Sequence, residues 1–210
     1  VFHSPNSLPI DQDTVRTELV LPYGDYSAVA LWWYSTQVES NLADILAIPI
    51  DITSGFKPLG FTLSEEKPVE SLVLRANWEK VNRDAAIEGT IYFDGPFPEN
   101  SDVTAVAAFK TEPQTSIDYL IQLKSIDLSV PRNVTSYKYR LPVKSGSVGY
   151  VGVFWLGQNG DLSDFMSVGE YRDPQDSTKI GKLLPRAGET ITGVDVHVDW
   201  SRIPDELLEP

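Results

Sequence analysis

The sequence predicts an all-β protein made of two tandem, related antiparallel β-sandwich units with Greek-key connections. Three observations predict this fold class. Helical periodicity is nearly absent, whereas short runs rich in Val, Ile, Tyr, Phe and Trp alternate with polar residues. Fifteen prolines and fourteen glycines separate these runs at close spacing, which favours a sandwich or barrel over a parallel α/β sheet. Two regions of the chain also resemble each other in order and spacing.

The strand candidates are defined by a period of two between apolar and polar residues. In chain order they are Thr17–Leu21, Ser27–Tyr34, Leu72–Trp78, Ile87–Phe93, Val103–Phe109, Tyr137–Leu141, Val148–Trp155 and Gly193–Trp200. Two shorter apolar runs, Leu42–Ile48 and Phe165–Val168, suit either a strand or a brief helical turn.

The internal similarity covers three segments. Residues 17–48 align with residues 137–168 at an offset of 120, so that Leu21-Pro22 meets Leu141-Pro142 and Leu42–Leu46 meets Leu162–Met166. At an offset of 122, the pattern from Leu72 to Trp78 meets the pattern from Val194 to Trp200. The shared order and nearly constant offset predict a duplication, with both terminal tryptophans in the core.

This duplication sets the expected domain boundaries. The first unit spans residues 1–84, the second spans 85–203, and residues 204–210 form a C-terminal tail. The second unit begins with Ile87–Phe93 and Val103–Phe109, whose counterparts would precede Val1. The first unit is therefore expected to lack two strands, which a longer natural chain or another element would supply. Without them it would expose unpaired strand edges.

Residues 86–200 resemble the transthyretin-like and carboxypeptidase-regulatory-like sandwich domains. The resemblance rests on Gly89–Gly95 as a first strand, Val103–Phe109 as a second, Gly149–Val153 as a "G-x-Y-x-V" element, and Ala187–Val196 as the last turn and strand. It implies a seven-strand sandwich used as an accessory or surface module of bacterial secreted proteins and lipoproteins. It implies no activity, because a fold does not determine function.

Composition excludes several functional classes. The net charge of −13 disfavours nucleic acid and anionic membrane surfaces, and the basic residues are scattered. The absence of cysteine removes disulfides, thiolate catalysis and thiolate metal sites. No apolar run is long enough for a transmembrane helix. An acidic, cysteine-free β protein suits an extracellular, periplasmic or cell-surface location.

No catalytic constellation is evident. His197 lies between Asp195 and Asp199 on the polar face of a strand whose other face is apolar, which is typical of a solvated strand face. No zinc-binding histidine spacing occurs. Abundant carboxylates leave a glycosidase-type pair as a third hypothesis, that of a hydrolase. The chain is accordingly predicted not to be an enzyme.

Calcium is the one metal that the sequence suggests. Asn159, Asp161 and Asp164 place oxygen ligands around a Gly turn, and hard cations prefer several such oxygens. The spacing departs from an EF-hand loop, and a plain hairpin turn explains the same residues. No other cofactor is predicted.

The aromatic residues supply the candidate ligand-binding site, which comprises Trp32, Tyr34 and Trp155. Trp32 aligns with Gly152 at the offset of 120, so the fold does not require a large side chain there. An exposed Trp can stack on a sugar ring. Alternatively, Trp32 packs against the neighbouring unit or a partner.

These observations predict a structural or protein-binding module of a secreted or surface protein, and the resemblance implies that it is part of a bacterial lipoprotein. Its partner would be a protein or another cell-surface component. The alternative is a carbohydrate-binding module that uses the aromatic strand.

Overall fold

The computed structural model describes residues 7–34, 42–51, 57–81, 83–115, 118–158, 160 and 164–208. The strands are β1 (Gly24–Tyr26), β2 (Leu31–Trp32), β3 (Ile45–Ala47), β4 (Ile50–Asp51), β5 (Lys57–Pro58), β6 (Phe61–Leu63), β7 (Ala85–Phe93), β8 (Ser101–Phe109), β9 (Leu123–Asp127), β10 (Ser136–Val143), β11 (Tyr150–Gly157), β12 (Met166–Glu170), β13 (Arg172–Asp173), β14 (Asp176–Ile180), β15 (Thr190–Ile191) and β16 (Val196–Val198). Short helices α1 (Asp118–Ile121) and α2 (Asp205–Leu208) and the 3-10 turns Leu42–Asp44, Trp78–Lys80 and Trp200–Arg202 complete the described elements. The all-β prediction is confirmed.

The described strands of the C-terminal part of the chain form two four-stranded sheets and the β13–β14 hairpin. In the first sheet β7 lies between β10 on one side and β15 and β16 on the other. In the second sheet the order is β12-β11-β8-β9. β7 pairs in parallel with β15 and β16 and antiparallel with β10, and the pairs of the second sheet are antiparallel.

The main core lies between these sheets, because each strand places alternate apolar side chains inward. The first sheet contributes Ile87, Ile91 and Leu141, all fully buried. Val151 and Val153 of β11 meet them from the second sheet. Residues 85–203 therefore form a sandwich.

The outer face of the second sheet is also covered. Phe109 and Phe154 point away from the main core and pack with Ala43, which belongs to the N-terminal part of the chain. Tyr119 of α1 adds an edge-on contact, with ring centroids 5.4 Å from Phe154. Because both faces are covered, β11 is buried along nearly its whole length, as its continuous apolar sequence requires.

The N-terminal segment, defined here as residues 7–81, is far less regular. Its described strands form three two-stranded sheets, β1 with β6, β2 with β3, and β4 with β5. Two-stranded ribbons bury little surface by themselves. Within the described residues this segment therefore does not close into two packed sheets.

The pairings of this segment nevertheless recur in the sandwich at a constant spacing of 122 residues. The recurring pairs are Tyr26–Phe61 with Val148–Leu183, Leu31–Ala47 with Val153–Gly169, Trp32–Ile45 with Phe154–Ser167, and Ile50–Pro58 with Arg172–Ile180. The register shift between Leu31 and Trp32 recurs between Val153 and Phe154.

Backbone hydrogen bonds outside the ladders recur at the same spacing. The Leu59 N–H donates to the Pro49 carbonyl, as the Gly181 N–H does to the Tyr171 carbonyl. The Asn77 N–H donates to the Leu46 carbonyl, as the Asp199 N–H does to the Val168 carbonyl. The Val81 N–H donates to the Trp78 carbonyl, as the Ile203 N–H does to the Trp200 carbonyl. The spacing of 122, found in the sequence only for the last segment, thus describes residues 24–34 and 42–81 as a whole. The offset of 120 assigned to residues 17–48 is therefore wrong by two residues over the described residues 24–34 and 42–48.

Several predicted strands need correction. Residues 17–21 and 72–77 are not in strands, although their sequences alternate as strands do. Ser27–Tyr34 contains only the two-residue β2, and Gly193–Trp200 contains only β16. Ladder hydrogen bonds require a neighbour, and alternation alone does not supply one.

Four predicted strands are confirmed. Ile87–Phe93 and Val103–Phe109 lie within β7 and β8, Tyr137–Leu141 lies within β10, and Val148–Trp155 corresponds largely to β11. These four are central to the sandwich, where each has partners on at least one side.

Candidate functional site

Trp32 and Tyr34 are exposed, as a ligand-binding strand would require. Trp32 lies at the end of β2 with 47% of its surface accessible, and Tyr34 follows two residues later with 73% accessible. Residues two apart in an extended chain share a face. Both side chains are therefore available to a ligand or a partner on the same side of the segment.

The assignment of Trp155 to the ligand-binding site is wrong. Only 1% of its surface is accessible, and it packs in the main core. Its indole Nε1 donates a hydrogen bond to the buried Ser101 Oγ over 2.8 Å. Because every second residue of β11 faces the core, a large apolar ring at this position belongs to the packing.

Trp33 and Trp78 form an edge-on aromatic pair in the N-terminal segment. Their ring centroids lie 5.8 Å apart with an interplanar angle of 82°, a favourable arrangement. Trp33 is half-buried, but Trp78 keeps 51% of its surface accessible. The prediction that Trp78 is a core residue is wrong.

Exposed aliphatic side chains extend along the same segment. Val20 is fully accessible, Val69 is 73% accessible and Val73 is 84% accessible. Single exposed apolar residues are ordinary, whereas apolar residues that are contiguous on the surface mark interaction sites. These residues fall in residues 14–21 and 68–78, which take no part in a described sheet.

The strand around His197 has the predicted solvated face. The three valines Val194, Val196 and Val198 are buried. The alternating residues Asp195, His197 and Asp199 are exposed. His197 stacks on Tyr92 with ring centroids 4.9 Å apart.

The two aspartates on this face have structural contacts. Asp195 Oδ1 accepts from the Thr90 N–H over 2.8 Å. Asp199 Oδ1 accepts from the Ser201 N–H and Oγ–H and so caps the 3-10 turn. Hydrogen bonds from Ser201 lower the pKa of Asp199. Neither of these carboxylates orients His197, whose Nδ1 lies 3.9 Å from Asp94 Oδ2. That distance is too long for a hydrogen bond, so Asp195, His197 and Asp199 do not form a catalytic triad.

A shallow surface pocket lies on the outer face of the first sheet. It is lined by Glu88, Gly89, Thr90, Lys138, Tyr139, Arg140, Thr192, Gly193 and Asp195. Its charges are partly matched, because Arg140 pairs with Glu88. The Tyr139 hydroxyl donates to the Val194 carbonyl over 2.5 Å, and burial raises the pKa of this phenol. Its lining includes no cysteine, serine or histidine nucleophile.

Other carboxylates of the sandwich are held in ion pairs. Glu170 contacts both Arg172 and Arg202, and its hydrogen bond with Arg202 raises the pKa of that guanidinium. Asp176 pairs with Lys179 on the exposed strand β14. Such pairs stabilise local geometry and leave these carboxylates without the features of an acid and base pair.

The calcium hypothesis falls largely outside the described residues. Asn159 and Asp161 belong to the part that the structure does not describe, and Asp164 is half-buried. Within the described ranges no group of three or more His, Asp or Glu side chains is placed to hold a metal ion. Calcium binding therefore stays a prediction.

Residues 68–78 were missed as a candidate surface because their alternation predicted a paired strand and a buried Trp78. The signal that could have identified them was present in the sequence. The partners that bury the equivalent residues 190–200 are β7 and its neighbours, and the first unit was expected to lack the counterpart of β7.

The arrangement thus offers surfaces for binding and, among the described residues, no assembled catalytic group. No described helix is long and apolar enough to cross a membrane. No family model matches the chain, and neither the curated proteins nor the solved structures contain a match to it.

Proposed function

We propose that the chain is a non-enzymatic, protein-binding β-sandwich module of a secreted or surface protein, of the kind found in bacterial lipoproteins. The observation that carries this proposal is the exposure of apolar residues along residues 14–34 and 68–78. Val20, Val73 and Trp78 are more than half accessible. Covering such residues provides the main favourable free energy of protein association.

A transthyretin-like identity for the sandwich is part of this proposal. Support comes from the number of main strand positions, since β7 to β12 and the edge formed by β15 and β16 together make seven. The β13–β14 hairpin is an addition to them. The acidic, cysteine-free composition supports an oxidising location outside the cytoplasm.

Site-specific photocrosslinking tests the protein-binding proposal. Val73 would be replaced by the photoreactive residue p-benzoylphenylalanine, and the protein irradiated in the cells that produce it. A single polypeptide adduct of defined mass, identified by mass spectrometry, is the expected result. The same replacement at Thr178, exposed on β14 of the sandwich, provides the matched control. No adduct at position 73, with photolysis verified, would contradict the proposal.

Carbohydrate binding is the second candidate, because Trp32 and Tyr34 present aromatic surface on one side of the chain. Tryptophan fluorescence would be titrated with a panel of soluble polysaccharides. A saturable change that disappears in Trp32→Ala and persists in Trp78→Phe would favour this candidate. An unchanged spectrum would rule out the carbohydrate candidate for the polysaccharides tested and leave protein binding as the one remaining proposal.

A further inference from the structure

The recurrence at 122 residues relates the N-terminal segment to a complete sandwich. β2 and β3 correspond to parts of β11 and β12, and β4 and β5 correspond to β13 and the end of β14. The bridge between Tyr26 and Phe61 likewise corresponds to the bridge between Val148 and Leu183. The sandwich therefore shows which neighbours each part of the N-terminal segment would have if that segment were closed.

Three strands of the sandwich have no counterpart among the described residues of the N-terminal segment. One is β9, whose equivalents are residues 1–5, outside the described residues. The other two are β7, which joins β10 to β15 and β16, and β8, which pairs with β11. β7 is the strand on which the first sheet depends, because it alone connects the other members. At the same spacing, residues 68–77 correspond to residues 190–199 beside β7, and residues 14–21 would correspond to β10.

Residues 68–77 are less buried than their equivalents in the sandwich, as expected where no described strand lies beside them. Val194 and Val196 are fully buried beside β7, and their equivalents Leu72 and Leu74 are only half-buried. The alternation of side chains is the same in both copies, with the exposed Val73 at the position of the exposed Asp195. The segment thus has the pattern of a half-buried strand without a ladder.

Trp78 is likewise less buried than its equivalent in the sandwich. Its equivalent Trp200 is half-buried and packs on Phe93 and Phe97, with centroid distances of 5.9 and 4.9 Å. Phe93 ends β7, and Phe97 follows it in the connection to β8. Trp78 is 51% accessible, because no described residue supplies these two rings.

The edge of β2 opposite β3 has no described partner strand. β11 pairs with β12 on one edge and with β8 on the other, whereas β2 pairs with β3 alone among the described strands. Leu31 is accordingly half-buried, and its equivalent Val153 is fully buried. A free edge offers unpaired N–H and C=O groups to an added strand.

We infer that the N-terminal segment binds a β-hairpin with the sequence pattern of β7 and β8. Its first strand pairs in parallel with residues 68–77 and antiparallel with residues 14–21, and its second strand pairs with β2. The first strand carries inward apolar side chains at alternate positions, as Ile87, Ile91 and Phe93 do, and an aromatic pair covers Trp78. This inference rests on the proposed protein-binding function and names the partner's structure.

A covalent copy of residues 85–122 placed directly before Val1 tests this inference. In the sandwich, residue 123 follows this stretch and is equivalent to Val1, so the fusion preserves the spacing of 122. Amide hydrogen exchange would be followed in residues 68–77 and 14–21 by mass spectrometry. The expected result is about a 100-fold slowing of exchange in both stretches relative to the unfused chain, because ladder hydrogen bonds then protect the amides.

The matched control carries Ile87→Asp and Ile91→Asp in the added copy only and is expected to show no slowing. Unchanged exchange with the intact copy, while residues 136–143 and 190–198 stay protected, would overturn the inference. Protection of these two stretches in the unfused chain that increases with protein concentration would also overturn the inference. It would show that a second copy of the chain occupies this surface. A partner crosslinked at position 73 together with unchanged exchange in the fusion would leave the protein-binding function standing without the hairpin.

Discussion

At the scale of single residues, the same residue type has different roles according to the neighbours that its strand provides. Trp155 is enclosed by both sheets of the sandwich, and Trp32 is exposed on a strand with one described partner. Trp33 occupies the position equivalent to Trp155 at the spacing of 122, and it is only half-buried. The aromatic cluster therefore contains core residues and surface residues that the sequence alone does not separate.

Trp155→Phe is expected to destabilise the sandwich by about 1–3 kcal/mol. The substitution removes the hydrogen bond to the buried Ser101 Oγ and leaves space where the indole packed. Urea unfolding followed by circular dichroism measures this change. Trp32→Phe is the matched control and is expected to change the free energy of unfolding by less than about 0.5 kcal/mol. Equal effects of the two substitutions would contradict the assignment of Trp155 to the core.

Asp84 is expected to make stability depend on pH. Its carboxylate accepts hydrogen bonds from the Ser145 N–H over 2.6 Å and from the Ser145 Oγ–H over 3.0 Å. The backbone hydrogen bond from Ser145 is the main cause that lowers the pKa of Asp84. A lowered carboxylate pKa stabilises the fold above the unfolded-state pKa of about 4 and ceases to do so as the pH falls through the folded-state value.

Asp84→Asn should therefore lower the urea midpoint at pH 7, and the difference from the unsubstituted protein should shrink below about pH 4. Unfolding curves at pH 7, 5 and 3 measure the effect. Asp102→Asn, at an exposed position on β8, serves as the control. A difference that stays constant down to pH 3 would show that the charge of Asp84 is not its source.

At the scale of elements, β7 determines whether the first sheet exists. It pairs with β10, β15 and β16, and Gly89 at its centre allows the close approach of the chain at Val194. A Cβ at residue 89 would overlap the Val194 carbonyl oxygen, which also accepts the Tyr139 hydrogen bond. A glycine inside a strand often marks such an approach.

Gly89→Ala is expected to destabilise the sandwich by about 2 kcal/mol or more, because backbone atoms must move to relieve the overlap. Thermal unfolding measures the loss. Lys138→Ala, at an exposed residue of β10, is the control and should leave the melting temperature nearly unchanged. A melting temperature equal to that of the control would mean that β7 and residue 194 do not meet as described.

The limits of sequence-based prediction are clearest at this scale. Strands such as Ile87–Phe93 and Val103–Phe109 were predictable because their alternation coincides with real neighbours in the fold. Leu72–Trp78 has the same alternation and forms no strand, because pairing depends on a second strand that local sequence does not encode. The exposure of Trp78 follows from that difference, whereas Val73 lies at the position of Asp195, which is exposed in the sandwich as well.

The offset between the similar segments was also predictable only in part. Sequence similarity placed Trp32 on Gly152, whereas the ladders place Trp32 at the position of Phe154. A shift of two residues preserves the faces of a strand, so the apolar pattern cannot reveal it. The register shift shared by the two ladders, and not the side-chain pattern, establishes the spacing.

At the scale of the whole molecule, a closed sandwich is joined to a segment whose described strand pairings recur in the sandwich 122 residues later. The contact of Ala43 with Phe109 and Phe154 attaches this segment to the outer face of the second sheet. The ion pair between Asp44 and Arg83, 2.5 Å long and largely buried, holds the same turn near the start of the sandwich. The acidic net charge opposes association between copies of the chain.

The exposed apolar residues of the N-terminal segment are expected to promote self-association when the charge is reduced. Light scattering should show association as the pH approaches the isoelectric point of about 4.5. Val73→Lys should reduce it at equal protein concentration, because a charged side chain protects an exposed strand edge. Thr178→Lys, on the exposed strand β14, adds the same charge as a control. Equal reduction by both variants would indicate an effect of net charge alone.

The relation between the two copies is tested most directly by amide hydrogen exchange of the unmodified chain at low concentration. Residues 68–76 and 190–198 are equivalent positions, and they differ in whether β7 lies beside them. We predict exchange at least about 100-fold faster in residues 68–76 than in residues 190–198. Comparable protection of the two stretches would show that residues 68–76 already have a strand partner and would contradict the account.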